Sequence, residues 1–131
     1  MTVLRRFTAS AVATVALAAG TVVLAPAASA AEAPVPGTRW GFADCWVEMY
    51  RRDDGYVQAR GTSSHNNSCS IWLQRQRVGD GGYPWTTVSG VLDMYNNQRA
   101  TAYHWNGTDA ASRVCLNNAS LGATNCGITV W

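Results

Sequence analysis

The sequence predicts an all-β, disulfide-stabilised sandwich of about seven short antiparallel strands, and three observations carry that prediction. Apolar residues alternate with polar or aromatic ones in short runs, glycine-containing turn dipeptides separate those runs, and no amphipathic helix of useful length follows the first 30 residues. Four cysteines complete the pattern, an even set suited to stapling a domain too small for a large core.

The first 30 residues read as an export signal. Arg5 and Arg6 precede an almost wholly apolar stretch from Thr8 to Leu24, and Ala28-Ser29-Ala30 supplies the small residues that a signal peptidase requires, so cleavage is expected before Ala31. Gly20, Pro26 and the small-residue exit argue against a membrane anchor. Residues 1–30 are therefore assigned as signal peptide, 31–42 as an extended N-terminal arm, and 43–131 as the sandwich domain. The expected location is extracellular, with no membrane contact after cleavage.

Strand by strand, the arm comes first. Residues 31–39 carry two prolines and a glycine without periodicity, which describes an extended segment ahead of the domain. From Ala43 the chain alternates: Cys45, Val47 and Met49 share one face, while Asp44, Trp46, Glu48 and Tyr50 share the other. Asp54-Gly55 offers a tight hairpin turn, after which Val57 and Ala59 point inward. Cys69, Ile71 and Leu73 line the next strand, Gly79–Pro84 is a loop, and Trp85–Leu92 and Arg99–Trp105 are further strands. Asn106-Gly107 signals a second hairpin, and Arg113–Leu116 and Gly127–Trp131 close the set. The expected core is Cys45, Val47, Met49, Val57, Ala59, Cys69, Ile71, Leu73, Cys115, Ile128 and Val130.

None of the cysteines has the two-residue spacing of a zinc knuckle or a thioredoxin-like motif, so two structural disulfides are expected. Three pairings are possible; the shorter loops favour Cys45–Cys69 with Cys115–Cys126. No metal or other cofactor is predicted: Asn66-Asn67-Ser68-Cys69-Ser70 departs from the calcium motif of βγ-crystallin-like domains at Ile71. The sequons at Asn66, Asn106 and Asn118 are expected to go unused.

Beyond residue 30, eight arginines oppose eight carboxylates and there is no lysine. A balanced charge removes the electrostatic argument for a nucleic-acid or anionic-membrane partner. No nucleophile elbow or metal-binding histidine pair is present. His65 and His104 form no motif, and Asp44 and Glu48 stand four apart on one strand, too far to share a proton. No enzymatic activity is predicted.

What the chain does have is tryptophan and tyrosine, residues that give large contact area at low entropic cost. Period-two geometry sends Trp46, Tyr50 and Trp72 away from the core. The expected function is a non-enzymatic module that binds another secreted or cell-surface protein as adaptor, subunit or inhibitor, with Trp40 and Phe42 anchoring the arm. The alternative partner is a glycan, on which Trp72, Trp85, Tyr103 and Trp105 would stack.

The signal, the arginine-only basicity and the four-cysteine strand pattern together resemble the small exported all-β proteins of Streptomyces-like actinobacteria. Among these, tendamistat-like amylase inhibitors use a contiguous Trp-Arg-Tyr, whereas here Trp46 and Tyr50-Arg51 are separated. The arm before a cysteine-stapled domain is similar in layout to the small adaptor subunit of umbrella toxin particles. That resemblance implies a partner reached through the N-terminal extension.

Overall fold

Alternation along the chain resolves into two antiparallel sheets. The computed structural model describes residues 28–64, 66–77 and 84–130, so residues 1–27 of the expected signal peptide, His65, most of the glycine-rich loop and Trp131 lie outside the described residues. Among the described residues there are eleven strands: β1 (Glu32–Pro34), β2 (Trp40–Phe42), β3 (Cys45–Arg52), β4 (Tyr56–Ser63), β5 (Ser68–Arg77), β6 (Thr86–Thr87), β7 (Leu92–Tyr95), β8 (Gln98–Ala100), β9 (His104–Trp105), β10 (Ala110–Asn118) and β11 (Ala123–Cys126). A front sheet runs β1-β3-β4-β8, with β2 also on β3 and β9 also on β4; a back sheet runs β11-β10-β5-β6, with β7 also on β5. The fold is all-β and sandwich-like.

The inward positions of β3, β4 and β5 are those that the alternation predicts. Cys45, Val47, Met49, Val57, Ala59, Cys69, Ile71 and Leu73 are all buried, and Met94, Val114 and Leu116 join them in one core. Gly61 continues the inward series of β4 without a side chain because the space is taken: a Cβ there would stand 2.8 Å from both Ile71 Cγ2 and Met94 Sδ. The β3–β4 hairpin turns at Asp53-Asp54-Gly55, where Gly55 takes a φ of +86° and donates its N–H to the Arg52 carbonyl at 3.0 Å.

Both expected disulfides are present. Cys45–Cys69 spans the two sheets, with Cα atoms 6.5 Å apart, and Cys115–Cys126 joins directly opposed residues of β10 and β11, with Cα atoms 4.0 Å apart.

Several expectations are corrected. The arm is extended but not separate: β1 pairs residues 32–34 with the far half of β3, and β2 pairs residues 40–42 with its near half. Between them the Thr38 hydroxyl donates to the Val35 carbonyl at 2.7 Å and accepts the Met49 N–H at 3.1 Å, so the outer edge of β3 keeps its hydrogen bonds across the kink. Ala43 belongs to the turn before β3, with a φ of +53°.

Asn106-Gly107 does not close a hairpin. It carries the chain from β9 of the front sheet to β10 of the back sheet. Trp85–Leu92 contributes the two residues of β6 and Leu92, the first of β7, and Tyr95–Gln98 turns from the back sheet to the front through Asn96, at a φ of +50°. These sheet changes divide the expected seven strands into eleven.

Cys115 is buried, but it lies opposite Trp72 and Cys126 on the outer side of the back sheet; Val114 and Leu116 hold the inner positions. The predicted last strand is displaced as well. The chain reverses immediately after Asn118, so polar Ala123–Cys126 pairs with β10, while Ile128 is 56% exposed and Val130 packs at the core margin through one bridge to Ser112. A polar strand held by a ladder and a disulfide carries no apolar periodicity to read. Two of the three sequons, Asn106 and Asn118, have buried side chains.

Candidate functional site

Directly opposed residues share a face, so the strand register sorts every aromatic side chain. Opposite Val47 and Cys45, Trp40 and Phe42 turn inward and pack against the core, with their rings 5.7 Å apart. They anchor the arm to its own domain while both rings stay partly exposed.

The outer face of the front sheet collects Trp46 and Tyr50 from β3, Tyr56 from β4 and Trp105 from β9. Trp46 is 44% and Trp105 49% exposed. Tyr56 and Trp105 are cross-strand partners that meet edge to face with ring centroids 5.4 Å apart. Tyr103 stands at the margin of this face.

Arginines of the same face cover these rings. The Arg39 guanidinium lies 5.5 Å from the Trp46 ring centre and that of Arg60 lies 3.9 Å from Tyr50; Arg52 lies 5.3 Å from Tyr56 and 5.0 Å from Tyr103. Two are neutralised by carboxylates, since Arg60 pairs with Glu32 and Arg52 with Asp54. Glu32 also accepts the Tyr103 hydroxyl, which ties β1 of the arm to the opposite margin of the sheet. A shallow cleft of about 430 Å³ opens among Arg39, Trp46, Glu48, Tyr50, Arg60 and Gln98.

Trp72 and Trp85 lie elsewhere, on the outer side of the back sheet. Trp72 is half-buried in the row of the Cys115–Cys126 disulfide. Trp85 carries the Arg113 guanidinium 4.1 Å over its ring. The four residues expected to stack on a sugar chain are therefore divided between opposite faces.

His104 is directly opposite Val57 at one end of the sandwich. Burial, and then the nearby Arg75 charge, hold its pKa below 6.5, and its Nε2 is buried with no hydrogen-bond partner. Asp44 is held in the opposite end, where Asn67 Nδ2 donates to its carboxylate at 2.9 Å. Among the described residues, no three His, Cys, Asp or Glu side chains converge into a metal-binding group.

Sequence reasoning missed Arg39, Arg52, Arg60 and Tyr56 as members of the front face. Their signal was available for β3 and β4, because Arg52 continues the outward series of Trp46 and Tyr50, and Tyr56 and Arg60 alternate with inward Val57 and Ala59. No matching family, curated protein or solved structure emerges when the chain is compared with known proteins.

Proposed function

We propose that this chain is a secreted, non-enzymatic protein-binding module, acting as adaptor, subunit or inhibitor of another extracellular protein, and that it docks through the outer face of its front sheet. The observation that supports this reading is the grouping of four aromatic rings with stacked arginines on one sheet face. Tryptophan, tyrosine and arginine are the side chains that dominate protein interfaces, and stacking holds these arginines in place before a partner arrives. Two disulfides suit an oxidising exterior, and no helix among the described residues is long and apolar enough to cross a membrane. A protein partner is preferred to a glycan because Trp72 and Trp85 do not share a platform with Tyr103 and Trp105.

The test is affinity capture from the producing organism's culture medium with tagged 31–131, in parallel with a Trp46→Ala/Trp105→Ala variant. A stoichiometric protein retained by the parent chain and lost by the variant is the expected result. Equal capture by both would refute the front face as the docking surface. Retention on peptidoglycan or chitin with no protein captured would refute the protein-binding reading itself.

A further inference from the structure

The ring-stacked arginines differ in their charge partners. On the front sheet, Arg52 and Arg60 each meet a carboxylate. On the back sheet Arg113 is half-buried, yet it has no carboxylate partner among the described residues. Its Nε donates to Gln74 Oε1 at 2.9 Å, directly across the β10–β5 ladder, and its plane is covered by Trp85 at 4.1 Å. A guanidinium has five N–H donors in a fixed fork. Gln74 engages one, and the remaining four have no acceptor among the described residues.

Withdrawing a cation from water without an opposing charge is unfavourable, and burial alone lowers the Arg113 pKa. The side chain is also oriented, by one hydrogen bond and one stacking contact, in the way that an arginine presenting a bidentate edge needs to be. We propose that Arg113 and Trp85 form a recognition site for a carboxylate side chain carried by an otherwise apolar segment of a protein partner. This site is separate from the front face and does not depend on it.

The surroundings select that class of ligand. One neighbouring row of the outer face holds Trp72 and the Cys115–Cys126 disulfide, and the other holds Ala111 opposite Gln76. Within its own row, the Gln74 carbonyl is already occupied by Arg113. An acidic sugar would bring hydroxyl groups on every side of its carboxylate, and many would be left unpaired against tryptophan and sulfur. An aspartate or glutamate between apolar residues brings one fork-matching anion and apolar flanks.

The experiment is an NMR titration of isotope-labelled 31–131 with the peptide acetyl-Phe-Glu-Phe-amide, its Phe-Gln-Phe counterpart and trigalacturonate, each raised to millimolar concentration. The expected result is saturable movement of the Trp85 indole N–H and the Arg113 Nε–H with the Glu peptide. Affinity should be about tenfold weaker or worse for the Gln peptide, for Arg113→Gln and for Arg113→Lys, since lysine keeps the charge but loses the fork and the stack. Unmoved amide signals of Ile71 and Met94 in the free variants report an intact back sheet, and Trp46→Ala should bind as the parent does. The proposal is overturned by the absence of saturable shifts, by equal binding of Arg113→Lys or the Gln peptide, or by tighter binding of trigalacturonate.

Discussion

The two ends of the sandwich are closed by different chemistry. At one end Cys45–Cys69 joins β3 to β5 covalently, both sulfurs are sealed from solvent, and Asn118 seats its side-chain amide 3.6 Å from Cys45 Sγ while accepting the Leu121 N–H at 3.2 Å. At the other end hydrogen bonds link the sheets: Asn106 donates its N–H to the Gly55 carbonyl at 3.1 Å and accepts the Ser112 hydroxyl, and Arg75 donates to the Trp105 carbonyl at 2.6 Å. A covalent closure acts mainly by restricting the unfolded chain and responds to reductant. A hydrogen-bonded closure depends on every donor finding its acceptor and is indifferent to reductant.

The largest effect is expected from breaking the covalent end. From loop length alone, Cys45–Cys69, with a sequence separation of 24, should contribute about 3.5 kcal/mol, and Cys115–Cys126, with a separation of 11, about 3 kcal/mol. Those values are nearly equal, yet only the first bridge also connects the layers. Cys45→Ala/Cys69→Ala should therefore exceed its loop-length value in a denaturant titration, whereas Cys115→Ala/Cys126→Ala, whose strands remain hydrogen-bonded, should not. Alkylation under mild reductant should reach the partly exposed Cys126 before Cys45 or Cys69. Equal losses from the two double variants would show that joining the sheets adds nothing beyond chain entropy.

Just inside the covalent end, Gly61→Ala should destabilise by about 1–3 kcal/mol through overpacking. The Met94 thioether can shift, but the Ile71 methyl group is fixed to a branched carbon beside the backbone. A loss that shrinks in a Gly61→Ala/Ile71→Leu double variant, where leucine carries no branch at Cβ, would locate the clash at that methyl group.

The smallest effect belongs to the polar end. His104 has a folded-state pKa below its ordinary 6.5, so the unfolded chain binds a proton more readily than the folded one. The stability linked to this group is fully present above pH 6.5 and is lost as pH falls through the lower folded value. A modest acid-side decline in melting temperature is expected for the parent chain, and His104→Gln should flatten it. An unchanged slope would mean that other groups carry the acid sensitivity.

How much of this was legible in the sequence follows from how locally each feature is determined. The all-β class, the Asp54-Gly55 hairpin, the eight inward residues of β3, β4 and β5 and the outward turn of Trp46, Tyr50 and Trp72 were all readable, because side chains alternate with a period of two wherever a strand has one buried face. Disulfide pairing was narrowed by loop length. The destination of each strand was not readable. Asn106-Gly107 has the composition of a hairpin turn but passes between sheets, and nothing in the local sequence distinguishes those outcomes. β11 is polar and is fixed by its ladder and its disulfide, so it had no apolar pattern to reveal it. The segment holding Trp40 and Phe42 looked like a free arm until its pairing with β3 turned both rings inward. Within a strand, then, sequence by itself determined which residues face which way, because that is backbone geometry. Tertiary structure alone decided which strands share a sheet, which arginines meet a carboxylate and which aromatics lie together, because those depend on contacts between residues far apart in the chain.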